Sequence, residues 1–214
     1  MTSKPIVWIV DEDNTQLDTH HDVLSIVMPG MDVRKILAPP RMSDFLTILD
    51  NRDTACLLLD QRLKETGVAN YTGIELAQYL NDINSQLPVF ILTNYSEWQE
   101  FEEDSKEVED ILNKGHVRLP DDDDNLKRIV SKIQRRVNVY LDLRSNQARR
   151  TNELIEKSFS GALSEDEAKE LALYAVENDK SRYLRELGRI ESLSKVVDAH
   201  HDLMAKIHKH RSEN

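Results

Sequence analysis

The feature of this sequence that most constrains its fold is a regular alternation of short apolar runs with helical patterns. Five runs fit buried strands: PIVWIV (5–10), DVRKIL (32–37), ACLLLD (55–60), LPVFILT (87–93) and VEDILNK (108–114). Continuous apolar strands that alternate with helices predict a parallel sheet covered on both faces. We therefore predict an α/β domain with a five-stranded, doubly wound parallel sheet.

The predicted helices are defined by apolar residues at helical spacing. The first has Leu17, His21, Leu24 and Val27 on one face, and Gly30 follows its end. Another covers residues 72–83, and a strongly acidic helix is predicted for residues 96–106. With only 6 Gly and 6 Pro in 214 residues, long helices can run without interruption.

Polar side chains stand where the predicted strands end. Asp11 and Glu12 follow the first strand, while Asp60, Thr93 and Lys114 close the third, fourth and fifth. The carboxyl ends of parallel strands meet at one edge of the sheet, where functional groups collect. Clustered carboxylates are the ligands that Mg²⁺ prefers, and a carboxylate can also act as a nucleophile toward phosphorus.

These residues suggest a division of roles at that edge. Asp60 would be the nucleophile, and a metal held by the acids would offset the charge of an incoming phosphoryl group. Lys114 and Thr93 are placed to hold the remaining phosphoryl oxygens. The competing interpretation is that the three acids are ordinary solvated residues at strand ends.

The segment 4–140 resembles the receiver domain of response regulators, which are CheY-like proteins. The resemblance is carried by IVWIVDED, LLLD, TGIEL, VFILTN and ILNK, in that order. It implies a flavodoxin-like fold with Asp60 as phosphoacceptor and Thr93 as the switch hydroxyl. Lys114 would be the lysine that receiver domains characteristically carry after the fifth strand. It also implies a Mg²⁺ site formed by Asp11, Glu12, Asp60 and the backbone carbonyl of Arg62.

The sequence departs from the usual receiver pattern at several positions. Asp60 and Gly73 are 13 positions apart, which stretches the loop between them, and Lys64 stands where proline is common. Gly115 follows the lysine in place of the usual proline. The switch position three residues before the lysine is Ile111 and not an aromatic residue. A degenerate receiver that acts as a binding module without phosphorylation is therefore an alternative.

The rest of the chain is predicted to be almost entirely helical. A first seam at coiled-coil spacing comprises Leu126, Val130, Ile133, Val137 and Tyr140, and residues 144–152 are either a linker or solvated helix. A second seam comprises Ile190, Leu193, Val197, His200, Met204 and Ile207. We predict a receiver domain at 1–140 and a helical dimerisation or interaction module at 141–214, with both seams in a bundle shared by two chains.

Charge and composition narrow the choice of partner and compartment. The net charge is −11, and residues 1–140 carry −10 of it, with 15 Lys and Arg against 25 Asp and Glu. Nucleic-acid binding requires a basic surface, so no nucleic-acid partner is expected. The single cysteine, Cys56, excludes a disulfide framework. With no signal peptide and no membrane-spanning run, we expect a cytoplasmic protein without membrane contact.

The resemblance implies a histidine kinase or phosphotransfer protein as the phosphoryl donor. No output enzyme is recognisable, so output through an unknown protein target and a homodimer is predicted. One alternative is a phosphate sink or relay intermediate. Another alternative is phosphoryl transfer to Asp60 from a histidine in the tail, for which His201 is the candidate. Metal binding by the four tail histidines is disfavoured, because no helix face presents a tetrahedral set; they are His200, His201, His208 and His210.

Overall fold

Five parallel strands form the sheet in a computed structural model that describes residues 3–93, 110–118 and 124–176, together with residues 186 and 190. The strands are β1 (Ile6–Asp11), β2 (Asp32–Leu37), β3 (Thr54–Asp60), β4 (Val89–Thr93) and β5 (Asp110–Asn113). Their order is β2-β1-β3-β4-β5, and every pair is parallel. The prediction of a five-stranded doubly wound sheet is confirmed.

Helices connect the strands and continue the chain beyond the sheet. They are α1 (Asn14–Val27), α2 (Leu46–Leu49), α3 (Gly73–Ile83) and α4 (Asp124–Ser160). Single 3₁₀ turns occupy Met42–Phe45 and Lys114–His116. Among the described residues, no helix combines the length and the apolar character needed to cross a bilayer.

The core is centred on β3, in which all seven residues are buried. Strand β3 lies between β1 and β4, so both of its edges are paired and both of its faces are covered. This explains why the run from Ala55 to Leu59 has no polar side chain. Asp60, the last residue of the strand, is only 4% exposed.

Helix α1 uses a slightly different face from the predicted one. Its buried residues are Leu17, His20, Val23 and Leu24, whereas His21 and Val27 are half-buried. The prediction for His21 was wrong because the buried face advances by three residues from Leu17 to His20. The polar imidazole of His20 is consequently buried on the core-facing side of α1.

The predicted seam from Leu126 to Tyr140 packs within the chain. Leu126, Ile133 and Val137 are at most 1% exposed and belong to the same core as the sheet residues, and α4 contacts β3. The prediction that this seam joins a bundle shared by two chains was therefore wrong. The sheet already covers it.

Helix α4 continues without a break across residues 144–152, so the helical alternative for this stretch is confirmed. Gly161, at φ 70°, ends it in the left-handed conformation. Residues 165–176 are helical again, after a capping box in which Ser164 and Glu167 bond each other's backbone N–H. Arg150 on α4 donates to both carboxylate oxygens of Glu170, which ties the two helices together.

Several predicted features lie outside the described residues. They include the acidic helix at 96–106, the histidines from His200 to His210, and the second seam apart from Ile190. Ile190 itself is helical and 60% exposed. The boundary predicted at residue 140 falls inside α4.

Candidate functional site at the carboxyl edge of the sheet

Three carboxylates meet where β1 and β3 end side by side. Val10 pairs with Leu59, so the next residues along the two strands, Asp11 and Asp60, emerge together at the sheet edge. Glu12 follows Asp11 directly. One carboxylate oxygen from each acid lies within 4.8 Å of the other two. The structure thus brings Asp11, Glu12 and Asp60 into one cluster.

Lys114, which directly follows the edge strand β5, contacts two of these acids. Its Nζ lies 2.9 Å from Asp11 Oδ2 and 2.9 Å from Asp60 Oδ1. Burial lowers the pKa of Lys114, but its contacts with Asp60 and Asp11 outweigh burial and leave that pKa above its ordinary value. The ammonium therefore stays charged in a site where the side chain is only 8% exposed.

Backbone N–H groups hold the other oxygens of the paired acids. The N–H of Asp13 donates to Asp11 Oδ1 at 3.0 Å, and the N–H of Arg62 donates to Asp60 Oδ2 at 3.1 Å. Asp13 in turn caps α1 by accepting from the N–H of Thr15. Each carboxylate is thus fixed on one side by its own chain and on the other by Lys114.

Glu12 is the member of the cluster whose charge is least compensated. Among the described residues its Oε2 is buried and has no hydrogen-bond partner. Burial first, and then the hydrogen bond and the charge of Asp60, raise the pKa of Glu12 to about 8. A carboxylate oxygen left without a partner beside two further carboxylates fits a hard divalent cation. The residues present therefore suit Mg²⁺.

Thr93 lies at the same edge, at the end of β4. Asp60 pairs with Leu92, so Thr93 is one residue further along than the partner of Asp60. Thr93 pairs in turn with Asn113, the residue before Lys114, and it is 3% exposed. All the side chains predicted for the site are therefore at strand ends on one edge of the sheet.

The backbone carbonyl of Arg62, which was also predicted for the metal site, accepts a hydrogen bond from the N–H of Glu65 at 3.1 Å.

The long connection from β3 to α3 is anchored despite its length. Leu63, Ala69 and Tyr71 are buried, and the hydroxyl of Tyr71 donates to the carbonyl of Pro39 at 2.5 Å. This bond joins the connection to the chain that follows β2, at the same edge of the sheet. The buried residues therefore anchor both ends of the connection, while residues 64–68 between them are exposed.

Gln61 and Gly73 join Asp60 directly to α3. A Cβ on Gly73 would lie 2.4 Å from the carbonyl oxygen of Asp60, so only glycine fits there. The N–H of Gly73 donates to the carbonyl of Gln61, and the N–H of Ile74 donates to Gln61 Oε1 at 3.2 Å. Gln61 could not be recognised from the sequence, because only its 5% exposure and these contacts distinguish it.

His20 is the other residue that sequence reasoning missed. It is 6% exposed, and its Nδ1 has no hydrogen-bond partner within the described residues. Burial, followed by the charge of Lys114, lowers the pKa of His20. The imidazole is therefore neutral near the site. Ile111, at the position where receivers carry an aromatic switch residue, is half-buried against the core.

Comparison with known proteins supports the fold assignment. The signal receiver domain of an HD domain-containing protein from Pseudomonas fluorescens Pf-5 superposes with a TM-score of 0.51 at 14% identity, covering 68% of this chain and 95% of that domain. An adenylate cyclase structure from Rhodopirellula baltica gives 0.51 at 18% identity, covering 72% of this chain and 99% of that one. The N-terminal part of this chain therefore has the fold of a receiver domain.

The sequence comparison extends past the receiver domain. The transcriptional regulatory protein TdiR of Thauera aromatica is 25% identical over 195 residues, which cover 85% of this chain and 79% of TdiR. No family model matches the chain. The structural superposition therefore confirms the resemblance of residues 4–140 to receiver domains as a likeness of fold.

Proposed function

We propose that this receiver domain accepts a phosphoryl group on Asp60 from the phosphohistidine of a histidine kinase or phosphotransfer protein. The observation that carries this proposal is the convergence of Asp11, Glu12 and Asp60 with Lys114 on one buried edge of the sheet. An isolated trio of solvated acids would not need a buried lysine held between two of them. The interpretation as ordinary strand-end carboxylates is therefore disfavoured.

In the proposed step, a carboxylate oxygen of Asp60 forms the new P–O bond while the N–P bond of the phosphohistidine breaks. The electron pair of that bond returns to the imidazole nitrogen of the donor. Lys114 already contacts Asp60 and can turn its ammonium to a phosphoryl oxygen as the carboxylate loses its charge. The hydroxyl of Thr93 is proposed to donate to a second phosphoryl oxygen.

Mg²⁺ is proposed to be held by Asp11, Glu12, Asp60 and the carbonyl of Arg62. When bound, the ion supplies positive charge that offsets the phosphoryl oxygens. The fixed orientations of Asp11 and Asp60 keep their oxygens directed at the site, because backbone N–H groups and Lys114 hold both carboxylates. Glu12 contributes the oxygen that otherwise has no partner among the described residues.

Incubation with Mg²⁺ and acetyl phosphate or phosphoramidate, followed by intact mass measurement, tests the proposal. The wild-type protein is expected to gain one phosphate, and Asp60→Asn is expected to gain none. Uptake that is the same in both proteins would overturn Asp60 as the acceptor. No uptake in the wild type would favour the degenerate receiver that only binds a partner.

For the output, we propose protein–protein contact through a helical module at residues 141–214, in a homodimer. The module is near neutral, with 13 Lys and Arg against 14 Asp and Glu, and it begins where α4 leaves the core after Tyr140. Beyond this point the side chains of α4 are mostly exposed. The cytoplasmic location stays a prediction from the sequence.

DNA binding is a second candidate for the output, and two observations favour it. The relative TdiR carries the name of a transcriptional regulatory protein. In addition, a groove of about 510 Å³ on the exposed side of α4 is lined by four basic residues and one acidic residue, which are Lys127, Arg128, Lys132, Arg135 and Asp124. Fluorescence anisotropy with labelled duplex DNA at two salt concentrations separates the candidates. Salt-sensitive binding that Arg128→Ala and Arg135→Ala weaken would favour DNA.

A further inference from the structure

Helix α3 joins the phosphoacceptor to the tail helix through contacts at both of its ends. At its first residue, Gly73 packs against the carbonyl of Asp60 so closely that no Cβ fits between them. The N–H groups of Gly73 and Ile74 both donate to Gln61, one to its carbonyl and one to its side chain. A shift of the Asp60 backbone therefore has to move the start of α3.

The helix is built to move as one body. Thr72 and Glu75 form a capping box that closes its first turn, and its buried side chains include Leu76, Ala77 and Leu80. Its 11 residues span about 16 Å at the usual rise per residue. No proline or internal glycine interrupts it after Gly73, so nothing in its sequence provides a hinge.

The other end of α3 contacts the helix that leads to the tail. Asn84, the C-cap residue, donates from Nδ2 to the hydroxyl of Tyr140 on α4 at 3.2 Å. Tyr140 is 4% exposed, and the guanidinium of Arg144 lies over its ring at 5.4 Å. Arg144 also donates to the carbonyl of Arg52, on the turn that leads into β3. Tyr140 is thus the last residue of α4 that is buried in the receiver core, and Arg144 adds a further contact one turn later.

We propose that α3 transmits the state of Asp60 to the tail through Gln61 and Gly73 at its start and through the Asn84–Tyr140 hydrogen bond at its end. The inference rests on the proposed phosphorylation of Asp60. It gives Gln61 and Tyr140 the part of positioning residues. It also accounts for a receiver that carries Ile111 where an aromatic side chain would otherwise report the phosphorylated state.

Hydrogen–deuterium exchange of the full-length protein, with Mg²⁺ and with or without acetyl phosphate, tests this connection. In the wild type, phosphorylation is expected to change exchange around residues 57–76 and in α4 beyond Tyr140. Tyr140→Phe removes only the hydroxyl. It is expected to take up phosphate normally and keep the change at residues 57–76 while losing the change in α4.

Two further variants make the test specific. Asn84→Ala removes the donor, and it also removes the oxygen that accepts from the N–H of Gln86. The double variant with Tyr140→Phe is therefore expected to lose no more of the change in α4 than Asn84→Ala alone. Tyr71→Phe is the matched control, since it removes another buried hydroxyl bond, to Pro39, and should keep the full change in α4.

The outcomes separate the connection from phosphorylation itself. If phosphate is taken up but α4 does not respond in the wild type, the connection through α3 is overturned while Asp60 stands as the acceptor. A full response of α4 in Tyr140→Phe and Asn84→Ala overturns it equally. If no phosphate is taken up, the proposed function fails and takes the inference with it.

Discussion

At the scale of single residues, Glu12 makes the site dependent on both metal and pH. Its pKa of about 8 lies far above the ordinary 4.5, because the ionised form is buried beside Asp60. Without metal, the folded protein therefore binds this proton more tightly than the unfolded chain does. The stability of the metal-free protein should fall as pH rises from about 4.5 to about 8, and Glu12 should cause no further loss above that range.

We expect Glu12→Gln to remove this penalty and the metal site together. In EDTA at pH 8.5, as a chosen condition above the pKa of about 8, the variant should melt at a higher temperature than the wild type. As pH rises from about 4.5 to about 8, Mg²⁺ should stabilise the wild type by an increasing amount. It should stabilise Glu12→Gln much less. Calorimetry of Mg²⁺ binding and thermal melts measure both effects. Glu156→Gln, on the exposed side of α4, is the control.

An equal Mg²⁺ affinity in wild type and Glu12→Gln would place the ion away from this carboxylate. A wild-type melting temperature that rises with pH in EDTA would contradict the raised pKa. Either result leaves the phosphorylation of Asp60 to be decided by its own measurement.

The residues that sequence could predict are those whose position follows from the sheet alone. Asp11, Asp60, Thr93 and Lys114 stand at the ends of apolar runs, and parallel strand ends meet at one edge. Gln61 and His20 could not be predicted, because their roles depend on what packs against them. A glutamine after a strand carries no sign that its side chain will bond the N–H of Ile74.

At the scale of elements, Gly73 fixes the distance between β3 and α3. We expect Gly73→Ala to push the start of α3 away from Asp60, since the added Cβ would meet backbone atoms that cannot turn aside. Overpacking of this kind costs roughly 1–3 kcal/mol of unfolding free energy. The rate of phosphate uptake from acetyl phosphate should fall as well, because the Asp60 carbonyl is the atom displaced.

Gly30→Ala is the matched control, since nothing lies within 4 Å of the position its Cβ would take. Chemical denaturation and the time course of intact mass give the two readouts. Wild-type stability in Gly73→Ala would show that the two elements are not packed as closely as the structure has them.

Element boundaries followed the sequence where apolar periodicity or a capping pattern marks them. The capping boxes at Thr72 and Ser164 are local patterns, so the starts of those helices could be predicted. Residues 144–152 have no apolar face, and the pattern left linker and helix open. The burial of the seam from Leu126 to Tyr140 was beyond prediction, because apolar spacing shows that a face is covered and not what covers it.

At the scale of the whole molecule, the proposed homodimer now depends on the last predicted helix, which lies outside the described residues apart from Ile190. The first seam is covered by the sheet, so the second, around Val197, must supply the contact between chains. Val197→Asp should convert the dimer to monomer, or unfold the tail, and leave phosphorylation of Asp60 unchanged. Ser194→Asp, on the same predicted helix but off the seam, is the control.

Light scattering of the unphosphorylated protein at tens of micromolar, a range in which moderately tight dimers are populated, gives the answer. A monomeric wild type would rule out the homodimer. The second seam would then be left for a different protein, in line with output through an unknown target. A dimer that Val197→Asp leaves intact would move the interface elsewhere.

The uninterrupted course of α4 has a mechanical consequence. Its first part is packed in the core as far as Tyr140, with a further contact from Arg144 to Arg52, and the 20 residues from Tyr140 to Ser160 span about 30 Å. Such a helix can act as a lever arm whose pivot lies in the turn from Tyr140 to Arg144. A tilt of about 5° at the pivot displaces the far end by roughly 2.5 Å, since the arm is about 30 Å long. A sub-ångström change beside Asp60 can in this way become a movement large enough to open or close a packed interface.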